Sequence, residues 1–213
     1  MKKARQTNTL LPQVADYYSA KLEKHGQTPL GVDWNGLESQ SVRFNQLIRV
    51  IDQDEQFSIN DVGCGYGALL ETLFKKYDQF TYHGNDISQK MVAAAQQSCK
   101  DHSNATFTVS DKPPTKSDYS VASGIFNVRF NNSDDEWIKY LHDTLGVLNE
   151  TSTRGFSFNC LTSYSDSEKM RDDLFYANPC TIFDYCKRNF SKQVALLHDY
   201  ELYEFTIIVR KEH

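Results

Sequence analysis

The stretch Ile59-Asn60-Asp61-Val62-Gly63-Cys64-Gly65-Tyr66-Gly67 constrains this chain more than any other. A β-prone run ends in glycines at alternating positions, and a helix-forming run, Ala68-Leu69-Leu70-Glu71-Thr72-Leu73-Phe74, follows at once. This reads as strand, tight turn, helix. Glycine permits the sharp bend and leaves no Cβ between backbone and ligand. The first N–H groups of a helix have no intrahelical partner, and here they face back over the turn. A nucleoside-bearing cofactor is the expected occupant.

Strands and helices alternate after this turn. Expected strands cover 57–62, 79–86, 106–109, 119–123, 155–160, 193–198 and 202–210. Expected helices cover 68–76, 88–100 (capped by Ser88), 135–148, 166–176 and 179–189. Such alternation implies an α/β fold with a doubly wound sheet. Only a short turn near Asp199-Tyr200-Glu201 separates the last two strands. They read as a hairpin, so an antiparallel strand ends an otherwise parallel sheet. Residues 1–55 read as an N-terminal helical cap. Pro12 opens a helix that runs to Leu22, residues 25–31 break it, and a second helix spans 35–52.

A chain of 213 residues suits one domain, 1–213, with a full core. Its net charge of −5 gives no electrostatic support for a nucleic-acid partner. Residues 1–9 are basic but no apolar run follows them, and no segment approaches the ~18 apolar residues of a spanning helix. The expectation is therefore neither a signal peptide nor a membrane anchor. The five cysteines are scattered without a CxxC pair, which indicates neither a zinc site nor a disulfide framework. A reduced, cytoplasmic protein is the simplest reading.

Asp86, in Tyr82-His83-Gly84-Asn85-Asp86-Ile87-Ser88, stands 19 positions beyond Gly67 (86 − 67). In dinucleotide-binding folds an acid at about this distance receives the ribose hydroxyls, and a carboxylate accepts both. The competing reading is a simple cap for the helix at Ser88. Asp111, in Ser110-Asp111-Lys112, follows the third strand. It suits the exocyclic amine of adenine, or serves only as a loop aspartate before Pro113-Pro114. Ala122-Ser123-Gly124-Ile125-Phe126-Asn127 follows the fourth strand and belongs on the crevice floor. Gly124 permits close backbone approach there, and Asn127 offers a donor and an acceptor. Packing explains Ile125 and Phe126 equally well.

Taken together, Asp61-Val62-Gly63-Cys64-Gly65-Tyr66-Gly67, Asp86, Asp111 and Ser123-Gly124-Ile125-Phe126 resemble the class I S-adenosylmethionine-dependent methyltransferase family. The family's first motif, an acid followed by GxGxG, is met in full. The resemblance covers about 57–160 and implies a Rossmann-like, seven-stranded, mostly parallel sheet with S-adenosyl-L-methionine as cofactor. It implies that the turn of Gly63, Cys64, Gly65 and Gly67 holds the methionine moiety. It further implies that Asp61 orients the cofactor amino group, Asp86 binds the ribose and Ile87 packs on the adenine. Asp111 then reads the adenine amine, and Gly124 contacts the amino-acid end. GxGxG in place of GxGxxG, and the closing hairpin, argue against an NAD enzyme.

A sulfonium is cationic, so aromatic faces stabilise it. Tyr17, Tyr18 and Trp34 are candidates for a lid, and Arg43 for the cofactor carboxylate; packing is the competing reading for each. His25, His142 and His198 are candidate bases, with Asn127 able only to orient, and their positions single out none. The Asn/Asp-Pro-Pro-aromatic motif of amino-methylating nucleic-acid enzymes is missing after the fourth strand, where Gly124-Ile125-Phe126-Asn127 stands instead. Nor is the paired-glutamate hairpin of protein arginine methyltransferases evident. The insert at 161–190, with Tyr164, Phe175, Tyr176, Phe183 and Tyr185, is expected to complete a substrate cap. The expected activity is direct methyl transfer to N or O of a small organic molecule. An RNA or protein acceptor, or a non-catalytic cofactor-binding module, is the alternative.

Overall fold

The computed structural model describes residues 10–52 and 56–212; the basic stretch 1–9 lies outside them. Seven strands form one sheet in the order β3-β2-β1-β4-β5-β7-β6. They are β1 (Phe57–Val62), β2 (Phe80–Asp86), β3 (Ala105–Val109), β4 (Ser117–Ala122), β5 (Ser152–Leu161), β6 (Gln193–Leu197) and β7 (Glu204–Arg210). The first five strands pair in parallel. β7 runs antiparallel to both β5 and β6. The hairpin is as expected, but its antiparallel strand lies one place in from the edge, because β7 inserts between β5 and β6.

Helices cover both faces of this sheet. They are α1 (Leu10–His25), α2 (Leu37–Leu47), α3 (Leu69–Phe74), α4 (Gln89–Ser98), α5 (Asp134–Glu150) and α6 (Pro179–Asn189). α5 buries Trp137, Leu141, Leu145 and Leu148, one stripe at helical spacing. They pack with Phe126, Phe156 and Phe158 on one face, while Leu47, Ile59, Leu70, Tyr82 and Tyr119 fill the other. Side chains alternate along each strand: Tyr119 and Val121 of β4 enter one core and Ala122 the other.

The helix starts follow their capping residues. Ser88 accepts from the Met91 N–H (3.2 Å), and Asn178 accepts from Cys180 and Thr181 ahead of Pro179. Ser133 and Glu136 form a reciprocal capping box on α5. α1, as described, spans Leu10–His25 and takes in Pro12. The second helix is shorter than expected: α2 ends at Leu47, a 3-10 turn spans Ile48–Val50, and Ile51 is extended.

The expected helix at 166–176 does not form. A single 3-10 turn covers Ser167–Lys169, Met170 is extended, and a turn at 172–173 leads into Leu174. The Asp173 carbonyl accepts from the Arg129 and Phe130 N–H groups, and Leu174 bridges Val128. Pairing with 128–130 therefore satisfies backbone groups that a helix would have bonded internally.

The chain leaves β1 outward to β2 and β3, then returns to β4 on the other side of β1. Ligands of open α/β sheets bind at such a reversal, beyond the carboxyl ends of the strands. The glycine turn follows β1 there, and Ser123-Gly124 follows β4.

Candidate active site

The glycine turn is pinned at the reversal. The Gly63 and Cys64 N–H groups both donate to the Asn85 carbonyl (2.8 and 3.1 Å). Gly63 has φ +73°, and a Cβ there would stand 2.3 Å from Ile125 Cγ2. Only glycine meets both demands. Gly124, across the crevice, has φ +75°, and a Cβ there would press Trp34 at 3.1 Å. Trp34 thus closes directly on the end of β4.

Two acids flank the turn. Asp86 is half-buried: its Oδ2 accepts from the Gly65 N–H (3.0 Å) and its Oδ1 from the Ser88 N–H (2.8 Å). A carboxylate has about four acceptor sites, so it keeps capacity for a ligand. Burial raises its pKa, against the lowering effect of the Ser88, Gly65 and Ile87 backbone N–H groups. Asp61 is buried and accepts a 2.6 Å hydrogen bond from the Tyr82 hydroxyl. Burial pushes its pKa up to about 7, the Tyr82 bond opposes this, and the Asp86 charge adds to it. Burial also lifts the Cys64 thiol well above its ordinary range, so it stays neutral.

A cavity of ≈ 260 Å³ opens between these groups. Asp61, Gly63, Cys64, Gly65, Asp86, Ile87, Asp111, Gly124 and Tyr18 all line it, Asp111 from an exposed position. The remaining expected residues, Gly67 and Arg43, do not. Gly67 turns behind the loop, where a Cβ would meet Phe107 and Cys99. Arg43 pairs with Glu204 instead, through Nε–Oε2 (2.8 Å) and Nη2–Oε1 (2.7 Å), and its Cζ lies 4.7 Å from the Trp34 ring centroid. Leu11, Val14, Met91 and Tyr140 join the lining without any local motif to announce them. Their helical spacing marks them only as apolar faces. α1 is fastened over this end of the crevice by the Ser19–Ser88 hydroxyl pair (2.8 Å) and a Lys90–Glu23 ion pair (2.5 Å).

A second cavity, of ≈ 240 Å³, shares Tyr18, Val32 and Trp34 with the first. Arg43, Asn127, Lys169, Arg171, Tyr176 and Glu204 are among its walls. Among the described residues no histidine lines either cavity, so His25, His142 and His198 are not brought to the site. His142 is instead stacked on Tyr185 at 3.7 Å. Of the five insert aromatics Tyr176 alone lines either of these two cavities. Phe175, Phe183 and Tyr185 pack in the core, and Tyr164 is exposed.

A family model described as a methyltransferase domain matches residues 59–151. A Mycobacterium tuberculosis protein named as a methyltransferase, Rv1506c, is 56% identical over 164 residues, 77% of this chain and 99% of that protein. This chain belongs to the class I S-adenosylmethionine-dependent methyltransferases. The malonyl-[acyl-carrier protein] O-methyltransferase of Halalkalibacterium halodurans is 30% identical over 38% of this chain and 35% of its own length. Among solved structures, the fold matches the magnesium protoporphyrin IX methyltransferase of Synechocystis PCC 6803 with bound cofactor (TM-score 0.69, 16% identity, 99% of this chain and 100% of that one). It also matches the N-methyltransferase NodS of Bradyrhizobium japonicum (TM-score 0.64, 15% identity, 93% and 98%).

The methyltransferase has walls that fit its cofactor. Asn85 and Ser123 line the first cavity, and their Oδ1 and Oγ atoms are buried with no hydrogen-bond partner among the described residues. Buried polar atoms of this kind call for a ligand donor or acceptor. Among the described residues, no helix is long and apolar enough to cross a membrane.

Proposed function

We propose that this methyltransferase acts on a small organic molecule held in the second cavity, by direct transfer to nitrogen or oxygen. The observation that carries this reading is the wall shared by the two cavities: Tyr18, Val32 and Trp34 line both. A cofactor in the first and an acceptor in the second would meet beside these side chains. The second cavity, at ≈ 240 Å³, is of a size for a small ligand.

S-adenosylmethionine supplies an electrophilic methyl on a sulfonium. The chain's own work is alignment and exclusion of water. Asp86 would hold the ribose hydroxyls with its uncommitted lone pairs, and Asp61 the amino group. Gly63, Cys64, Gly65 and Gly124 would present backbone to the amino-acid end, with Ile87 against the adenine and Asp111 at its amine. Tyr18 and Trp34 would offer aromatic faces to the sulfonium. Residues 1–55 and 161–190 would act as the cap of a single domain; α1, α2 and the segment bearing Lys169, Arg171 and Tyr176 wall the second cavity.

Tritiated methyl transfer from the labelled cofactor to separate pools of small molecules, RNA and protein tests this. Label is expected in the small-molecule pool. Label confined to RNA or protein would overturn the acceptor class, and binding of S-adenosylhomocysteine without transfer to any pool would favour a non-catalytic module.

A further inference from the structure

We infer that the second cavity selects acceptors bearing a carboxylate, with Arg43 as its anchor; this rests on the acceptor-pocket reading just given. The case begins with an unmet donor. Arg43 is 8% exposed, and its Nε and Nη2 are committed to Glu204. Its Nη1 is shut off from water and has no acceptor among the described residues. A guanidinium has five N–H groups and no acceptor, so what is missing is an oxygen.

Glu204 does not supply it. Its carboxylate already receives the Arg43 Nε and Nη2 groups and the Asn159 Nδ2 group (2.8 Å). The pair is neutral as a unit, and its surplus is a donor. The rest of the wall leans the same way. Lys169 and Arg171 line the cavity from exposed positions, against a single further acid, Asp33. Asp33 is occupied by Lys21 (2.5 Å) and by the Tyr17 hydroxyl (2.7 Å). Lys169 pairs with Asp166 (3.4 Å) and donates to the Tyr203 hydroxyl (2.8 Å), while Arg171 holds Asp173 through two hydrogen bonds (3.0 and 2.5 Å); both cations stand at exposed positions, where a pair contributes little. A carboxylate entering here lies beside the Arg43 side chain, whose Nη1 lacks an acceptor among the described residues, and beside two cations at exposed positions, Lys169 and Arg171. A neutral amide can answer only the first.

Trp34 fixes where such a ligand lies. Its ring sits under the Arg43 guanidinium and against Gly124, so it is the partition between this cavity and the cofactor's. A ligand held at Arg43 has its remaining atoms toward the wall shared with the first cavity.

The test uses the full chain saturated with S-adenosylhomocysteine. Benzoate and 3-phenylpropionate are titrated against benzamide and 3-phenylpropionamide, with binding read by ligand-detected NMR. Each carboxylate is expected to bind about tenfold more tightly than its amide. Lys169→Gln/Arg171→Gln, at two exposed positions, should weaken the carboxylates about threefold or more and leave the amides unchanged. Arg43→Lys, which keeps the charge but loses the fork, should weaken them further. A separate titration with S-adenosylhomocysteine reads the first cavity in every variant. Failure of the wild type to bind S-adenosylhomocysteine would overturn the cofactor reading itself. Normal binding of it with carboxylates and amides equal, with no carboxylate bound, or with carboxylates indifferent to the double variant overturns this proposal alone. So does an Arg43→Lys protein that loses S-adenosylhomocysteine while keeping the carboxylates, since Arg43 would then serve the cofactor.

Discussion

Arg43 on α2 and Glu204 at the first residue of β7 close on each other across 161 positions, with both side chains almost wholly buried. The contact does not end there. Glu204 also holds Asn159 of β5, and the Asn159 Oδ1 accepts from the Gly124 N–H (2.8 Å). Gly124 in turn carries the Trp34 ring, which lies under Arg43. The cap, the last strand and the floor of the first cavity thus form one closed network.

Breaking that network from one side should be costly. Arg43→Ala leaves the Glu204 carboxylate buried and uncompensated, and a loss of about 3–5 kcal/mol is expected in urea denaturation. Arg43→Met combined with Glu204→Leu removes both charges and should recover most of it. A double variant as unstable as Arg43→Ala alone would show that the pair is not the source.

Cofactor binding is expected to depend on pH through Asp61. Its carboxyl stands at about 7 in the folded protein against an ordinary 3.8. A raised acid favours the protonated form, so its contribution to stability is fully present below 3.8 and is lost as pH rises through about 7. Pairing with a ligand ammonium needs the ionised form, so affinity moves the other way. S-adenosylhomocysteine should bind more tightly as pH rises from 5.5 to 8, by up to about tenfold per unit below the midpoint. Asp61→Asn should flatten that profile, weaken binding throughout, and raise the melting temperature of the free protein at pH 8. Calorimetric titration and thermal melts at both ends of the range check all three.

The glycine turn tolerates no side chain at its first position. Gly63→Ala meets Ile125 Cγ2 at 2.3 Å and holds alanine at φ +73°. A destabilisation of about 1–3 kcal/mol is expected from the strained backbone, with cofactor affinity lost in step. Relieving the clash with Ile125→Ala should restore only part of either. Full recovery in the double variant would assign the whole effect to the clash and none to the backbone.

What the sequence made legible follows from how local each signal is. The turn after β1, the Ser88 cap and Asp86 announce themselves within a few residues, and the structure places them together. The strand pattern was readable because apolar runs and turns alternate, though not which neighbour β7 would take. Arg43 carried no local sign of its partner: a charged residue on a helix face reads the same whether it meets solvent, a ligand or an acid 161 positions away. The segment 166–176 misled for the opposite reason. Its composition permits a helix, and its backbone was taken by residues 128–130, a pairing that no local rule contains. Gly67 matched its motif but faces Phe107 rather than the cavity, because a motif fixes the turn and not which side of it a ligand sees.

Tyr18 tests whether an aromatic face at the shared wall serves the cofactor. It lines both cavities, stacks edge-on with Tyr17 at 5.2 Å, and carries a hydroxyl whose pKa burial, with Asp33 next in effect, pushes upward. It therefore remains a neutral phenol at working pH, able to act through its ring or as a donor and not as a phenolate base. Tyr18→Phe keeps the ring, and S-adenosylmethionine affinity should stay within about twofold of wild type. Tyr18→Ala removes the face offered to the sulfonium, and a loss of about 5–30-fold is expected. S-adenosylhomocysteine carries no positive sulfur, so its affinity should fall less than that of S-adenosylmethionine in the same variant. Paired calorimetric titrations of the two ligands separate a charge–ring contact from simple packing. Equal losses for both would assign Tyr18 to the wall alone, and no loss for either would remove it from the cofactor site.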